Sequence, residues 1–394
     1  MAIWLPLVAI SLPALVASTV ISTVRAGLAC WAALRLQRSR DHPIRPAANH
    51  SVTIVIPAYN EETGIAAAIR SALTSTHSVE VVVIDDGSTD KTAAIAAGFK
   101  GVRVIRQGNQ GKARALNTAL ATVRTDLVVM MDADAVLEPT AVASLVHRFT
   151  DPTIGAVSGH IDVAGGGLLG AWQRLDYALF NLERCMFDRL GGMPTVPGVI
   201  GAFRSNALDD VGGVPEHTVA EDTDLTMTLQ KNGWRIAHET TARARTEVPF
   251  THRDLVNQRH RWAYGILQAL WRHRSLDGKD MDASRRLSHV GVPFEIAVHI
   301  AAPLMVPFVD VALLTGLFTG NHGILFLYLT VQALQLACFL VASRTDIHRA
   351  RLWAALPILQ VIFSHVTAFV VLKAMITALA GLPVSWDQVQ RRAY

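Results

Sequence analysis

Residues 2–24 contain no charged side chain. A run of that length crosses a hydrocarbon core, which needs about 20 apolar residues in a helix, because in lipid a lone helix satisfies its own backbone. Arg25, Arg35, Arg38, Arg40 and Arg45 follow the run. A signal peptide carries its positive charge before the apolar segment, so this order favours a retained anchor. Basic residues stay in the cytoplasm, which places the N-terminus outside and residue 45 inside. Three more apolar stretches close the chain. Residues 290–318 carry only Glu295 and Asp310 as charges, residues 322–343 carry none, and residues 352–382 carry only Lys373. Arg344, Arg349 and Arg351 form a basic loop between the last two, expected on the cytoplasmic side. One span plus three leaves the C-terminus outside, whereas Arg391 and Arg392 favour the inside. A re-entrant or broken last helix is therefore the alternative to a full span. The expected organisation is an anchor over 1–34, a cytoplasmic domain over 50–285, and a C-terminal region over 288–385. The expected location is the cell membrane, with several passes.

Composition agrees. Hydrophobic residues are 51% and charged residues 17%, against roughly 25% charged in ordinary soluble domains. This excludes a disordered or collagen-like chain. Lys plus Arg is 36 and Asp plus Glu is 32, a net +4, too small an excess to argue for nucleic acid. Cys30, Cys185 and Cys338 are far apart and form no CxxC pair, so neither a disulfide framework nor a cysteine metal site is expected.

Between 50 and 285 the pattern alternates. Val52–Ile56, Glu80–Ile84, Val102–Ile105 and Leu127–Met131 are short apolar or β-branched runs. Glu62–Ser75, Thr89–Ala97 and Lys112–Val123 between them have helical spacing. Buried strands alternating with helices indicate an α/β fold, Rossmann-like, with a mostly parallel sheet covered on both faces. Ligands of such sheets bind beyond the carboxyl ends of the strands. Those ends carry Tyr59-Asn60-Glu61, Asp85-Asp86 and Asp132-Ala133-Asp134.

Each cluster has two readings. Asp132 and Asp134, two residues apart, suit Mg²⁺ or Mn²⁺ held by oxygen ligands, or a simple turn. Asp85 and Asp86 suit hydrogen bonds to a base or ribose, and Ser88 or Asp90 beside them suits a helix cap. Lys112 after Gly111 suits a phosphate or open solvent. Glu221-Asp222-Thr223-Asp224 suits a general base, or acids favoured at a helix N-terminus. Gln258-Arg259-His260-Arg261-Trp262 suits a diphosphate clamp with a sugar-stacking face, or a helix at the membrane surface. The stretches 168–190 and 254–274 interleave aromatic and apolar residues with arginine. They are expected to lie flat in the membrane interface, with an ordinary core-facing helix as the alternative.

Taken in order, these words resemble the family 2 glycosyltransferases, in the membrane-bound branch that includes chitin-oligosaccharide, hyaluronan, poly-β-1,6-N-acetylglucosamine and cellulose synthases. The matching segments are Ile56–Glu62, Asp85–Asp90, Gly111–Asn117, Asp132–Asp134, Gly198–Arg204, Glu221-Asp222, and Gln258–Trp262 as a QxxRW pattern. The resemblance implies a GT-A fold and inverting sugar transfer from a UDP-sugar, most plainly UDP-N-acetylglucosamine, with Mn²⁺ or Mg²⁺. It implies that Pro57, Tyr59, Glu61, Asp85 and Asp86 lie at the nucleoside end and Lys112 near the nucleotide. Asp132 and Asp134 would form the metal motif, and Asp222 would be the base. Gly201 and Arg204 would line the acceptor pocket. Gln258 and Arg261 would touch the diphosphate, and Trp262 the acceptor sugar. The implied acceptor is a growing β-linked saccharide, or a lipid in the glycolipid-forming alternative. Membrane lipids are implied partners, nucleic acid is not, and four spans leave room for a homo-oligomer or a secretion partner.

Overall fold

The computed structural model describes residues 4–39, 50–164, 167–249, 251–275, 281–343 and 356–382. Arg40, Arg45, Arg344, Arg349, Arg351, Arg391 and Arg392, on which the expected topology leans, lie outside the described residues. The strands are β1 (Val52–Ala58), β2 (Glu80–Asp86), β3 (Val102–Gln107), β4 (Leu127–Met130), β5 (Val136–Leu137), β6 (Ile154–Ala164), β7 (Gly201–Arg204) and β8 (Arg235–Glu247). They form one sheet in the order β3-β2-β1-β4-β7-β6-β8-β5. The pairs β1–β2, β1–β4 and β2–β3 are parallel, as the alternating pattern predicts. β7 runs antiparallel to both β4 and β6, and β6 and β8 pair in parallel. The chain winds outward from β1 to β3 and then returns to β4 on the other side of β1. That reversal makes the C-terminal ends of β1 and β4 the switch point, where a crevice opens.

Both faces of the central strands are covered, which is why their sequences read as continuous apolar runs. Ile54, Ile56, Val81, Val83, Leu127 and Val129 enter one core layer. Their alternating neighbours Val55, Val82, Ile84, Val128 and Met130 enter the other. Each such side chain contributes about 1.5–3 kcal/mol on burial. The second layer also takes in Ala26, Ala29 and Ala32 of the N-terminal helix, and Cys338 and Ala342 of a later apolar helix. The apolar helices are thus continuous with the core of the sheet domain.

The N-terminal helix spans Trp4–Ser39. Its 36 residues extend about 54 Å, well past a hydrocarbon core of about 30 Å. Arg25 marks the change: its Nη2 meets Glu183 Oε1 at 2.7 Å. After the sheet domain one long helical rod passes through two π-helical segments, Leu287–Gly291 and Glu295–Ala301, into Ala302–Thr319. His322–Ser343 and Leu356–Leu379 follow. Four helices among the described residues are long and apolar enough to cross a membrane. The last is a single unbroken helix, not a broken one.

The helix Gly167–Leu190 departs from the flat interfacial placement. Leu168 at its start is exposed, but Trp172, Leu175 and Leu179 are buried by protein. Its apolar surface continues through Leu182, Met186 and Phe187. A helix apolar around so much of its circumference needs cover on more than one side. It lies between the sheet and the N-terminal and third apolar helices. The helix His252–Arg272 rests on the last helix and on helix Glu221–Lys231.

Candidate active site

The residues that converge at the switch point come from three separate segments. Asp132 follows β4, Lys112 opens the helix Lys112–Leu120, and Glu221 and Asp222 open the helix Glu221–Lys231. Lys112 Nζ lies 2.7 Å from Asp132 Oδ1 and 3.0 Å from Glu221 Oε1. With Pro57, Val196, Gly198 and Asp222 these residues line an open cleft. Gly198 packs closely against the ends of the Lys112 and Asp132 side chains. A Cβ at that position would sit 2.5 Å from Lys112 Nζ and 3.3 Å from Asp132 Oδ1.

Charge is finely set. Burial alone would lower the Lys112 pKa, but the carboxylates of Asp132, Glu221 and Asp222 overcome it and raise it, so the side chain stays an ammonium. Asp222 keeps partial access to the cleft and is packed by protein elsewhere. Burial and then the Glu221 carboxylate push its pKa up to about 6, against the pull of Lys112. That value suits a proton acceptor working near neutral pH.

Asp224, the remaining acid of this run, is turned away. It is fully buried, and His273 Nε2 reaches its Oδ1 at 2.7 Å. It therefore clasps helix Glu221–Lys231 to the end of helix His252–Arg272. Breaking a buried pair costs about 3–5 kcal/mol. His273→Ala should accordingly lower the unfolding free energy by about 3 kcal/mol, read from denaturant titration of the detergent-solubilised protein. An unchanged midpoint would show that the clasp is dispensable.

Asp85 and Asp86 are buried and already engaged. Asp85 accepts from Arg106 Nε at 3.2 Å and from the Ser88 amide at 3.3 Å. Asp86 accepts from Gln107 Nε2, the Gln110 amide and the Gly111 amide at 2.7, 3.0 and 2.8 Å. Asp86 thus fixes the loop that delivers Lys112. Gly87 beside it has φ +78° and leaves room for the Asn109 amide, 2.7 Å from where a Cβ would be. Tyr59 is 37% exposed. The Glu61 amide donates to Thr92 Oγ1 at 2.7 Å, and Asn60 Oδ1 accepts from the Thr89 amide at 2.7 Å. These bonds tie the loops after β1 and β2 into one wall.

Asp134 lies on the β8 side, with Thr246 Oγ1 at 3.4 Å from its Oδ2. Its charge also reaches Tyr177, whose pKa burial raises to about 12. Tyr177 stands edge-on to Trp262, with ring centroids 6.3 Å apart. The QxxRW helix is therefore brought to the Asp134 side. Gln258 Oε1 is a buried acceptor with no hydrogen-bond partner. Gln258, Arg261 and Trp262 share one helix face by their spacing.

Gly201 and Arg204 are not brought to the cleft. Gly201 sits inside the sheet, paired with Met130 and Ser158, and a Cβ there would meet Val196 at 2.7 Å. Arg204 pairs with Leu127 at the opposite end of β4 from Asp132. Its guanidinium donates to the carbonyls of Ile154, Phe149 and Asp151. Antiparallel pairing with β4 carries the end of the motif away, and Gly198 at its start is what lines the cleft. Arg259, in the middle of the same motif, holds this helix to its neighbours. It ion-pairs with Asp176 at 2.9 Å and sits 4.5 Å from the Trp262 ring centroid, with Trp172, Tyr177 and Phe180 also around it. Its signal was the i, i+3 spacing to Trp262. Asp176 and Tyr177 gave none, since the contact joins segments about 80 residues apart in sequence.

Asp132 and Asp134 also fit a divalent ion by their chemistry. No cluster of three or more His, Cys, Asp or Glu side chains suited to a metal occurs among the described residues. Mg²⁺-type sites commonly use only one or two carboxylates and take their remaining ligands from water and substrate phosphates.

Comparison with known proteins gives the same frame. Residues 48–265 match the family model described as Glycosyltransferase like family 2. Poly-beta-1,6-N-acetyl-D-glucosamine synthase of Staphylococcus aureus is 31% identical over 229 residues, covering 56% of this chain and 56% of that protein. The Staphylococcus epidermidis protein of the same name is 30% identical with the same coverage. The chain thus spans about half the length of the curated relatives it matches. A mannosyltransferase of Pyrobaculum calidifontis, solved with GDP-mannose and Mn²⁺, superposes with a TM-score of 0.66 at 22% identity, covering 93% of this chain and 99% of that one.

Proposed function

The chain belongs to glycosyltransferase family 2, and from that premise we propose that it transfers a sugar from UDP-N-acetylglucosamine to a growing β-linked saccharide at the cytoplasmic face of the cell membrane. The observation that carries this reading is the meeting of Lys112, Asp132, Glu221 and Asp222 in one cleft at the switch point. The name of the staphylococcal relatives supports the choice of sugar. The α/β domain would be cytoplasmic, and residues 1–34 and 288–385 would hold it to the membrane.

In this mechanism Asp222 takes the proton of the acceptor hydroxyl. The freed oxygen bonds to the anomeric carbon as its bond to the diphosphate breaks, UDP leaves, and the anomeric centre inverts. Lys112 stays positive and faces the negative charge that develops on the leaving group. Gln258 and Arg261 would hold the diphosphate, and Trp262 would stack on the acceptor sugar. Asp132 and Asp134 would hold Mn²⁺ or Mg²⁺, which when bound supplies neutralisation of the diphosphate. Tyr59, Glu61, Asp85 and Asp86 would shape the nucleoside end.

The test is to give the purified protein each labelled nucleotide sugar and resolve the product by size and solvent partition. An aqueous ladder from UDP-N-acetylglucosamine supports the reading. A single organic-phase species makes the enzyme a glycolipid synthase instead. Metal dependence is tested in the same assay. Turnover should vanish in EDTA and return with Mn²⁺ or Mg²⁺, and Asp134→Asn should be inactive yet folded. Full turnover in EDTA removes the metal role.

A further inference from the structure

We propose that the last helix, Leu356–Leu379, does not cross the bilayer but lies within the leaflet that faces the catalytic domain, so that both its ends, Leu382 included, are on that domain's side. This rests on the reading that the sheet domain is catalytic and stands outside the hydrocarbon. Near the start of the helix, Phe363 stacks on Trp172, with ring centroids 3.7 Å apart and planes 11° from parallel. Trp172 belongs to a helix pinned to the sheet domain: Gln173 Nε2 donates to the Pro249 carbonyl at 3.1 Å, and Asn181 bonds both the amide and the carbonyl of Ile161. Near the other end, His260 Nε2 meets Thr377 Oγ1 at 3.2 Å, and the Tyr264 hydroxyl donates to the Leu382 carbonyl at 3.2 Å. Gly265, next to Tyr264, packs so closely on Ala220 that a Cβ would lie 2.5 Å from the Ala220 Cβ. Ala220 directly precedes Glu221 and Asp222, so this end of the helix is beside the cleft.

Phe363 and Thr377 are 14 residues apart in sequence, which is about 21 Å along a helix against a hydrocarbon core of about 30 Å. Were the helix upright, one of its two contacts with the domain would lie deep in lipid. Sinking the Thr377 end would carry Tyr264 and the neighbouring charged cleft into lipid, and sinking the Phe363 end would carry Trp172 with the Arg259–Asp176 ion pair beside it; buried charges in a membrane do not support either cost. A helix lying in the plane meets both contacts at one depth. Its free face fits acyl chains. Ile358, Ile362, Phe369, Leu372, Ile376 and Leu379 are each more than half exposed and fall on one stripe, while Val370, Val371 and Ala374 are buried against protein.

The test uses the full chain with Cys30, Cys185 and Cys338 replaced by serine. Ser385→Cys and Arg103→Cys are labelled separately with a membrane-impermeant maleimide, in intact cells and in inside-out vesicles. Labelling of both sites from the same side is expected. An alkaline phosphatase fused after Tyr394 should have the activity of a cytoplasmic control. Labelling from opposite sides, or an active phosphatase with Arg103→Cys protected in intact cells, overturns the proposal. If both sites label from outside, the cytoplasmic orientation of the domain is wrong, and the return of the chain to the domain's side still holds.

Discussion

Asp222→Asn should lose about 10²–10⁴-fold in turnover, the usual worth of general-base assistance, while binding UDP as the unmodified protein does. The side chain faces the cleft beside Lys112, and burial and the Glu221 charge lift its pKa to about 6. A carboxylate with that pKa is a better base than an ordinary aspartate and is still ionised at neutral pH. An asparagine amide cannot accept the hydroxyl proton. The diphosphate would be held by other side chains, so nucleotide binding should survive. The sign of the pH effect follows: turnover falls as pH drops through about 6, because protonated Asp222 has no site for the proton. Glu221→Gln should cost less. It removes a partner of Lys112 and also the charge that raises Asp222, so its acid limb should move to lower pH. Steady-state kinetics from pH 5 to 8, with UDP binding by calorimetry, check both variants. Near-normal transfer by Asp222→Asn would place the base elsewhere.

The parallel strands were legible because β-branched runs buried on both faces leave no polar alternation to confuse them. The carboxyl-end acids were legible because topology dictates where a crevice opens. What the sequence could not reveal was the direction a side chain takes. Asp222 and Asp224 are two residues apart, yet a helix turns about 100° per residue. One therefore faces the cleft and the other is sealed against His273. Gly198 and Arg204 belong to one contiguous motif, but β7 runs antiparallel to β4, so one end reaches Lys112 and the other ties down the Phe149–Ile154 turn. Hydropathy gave the four apolar helices but not their partners. The helix Gly167–Leu190 has enough apolar surface to suit either lipid or protein, and only the placement of the sheet against it decides.

Lys112→Met is the second large effect. Lys112 is the positive charge set directly among the three cleft carboxylates, 2.7 Å from Asp132 and 3.0 Å from Glu221. A cation aimed at a charge that develops only in the transition state is worth about 10²–10³-fold when removed, and a loss in kcat of that size is expected. A second consequence separates this role from simple misfolding. Lys112 pulls the Asp222 pKa down. Without it Asp222 protonates more easily, so the acid limb of the pH profile should move above about 6, opposite to the shift from Glu221→Gln. Lys112→Arg should rescue poorly, because a planar guanidinium does not reproduce the contacts of a compact ammonium with both Asp132 and Glu221. A misfolded variant would lose turnover at every pH alike. A Lys112→Met enzyme whose profile keeps the original acid limb would mean that Lys112 and Asp222 are not electrostatically coupled during turnover, and the charge arrangement in the cleft would need another account.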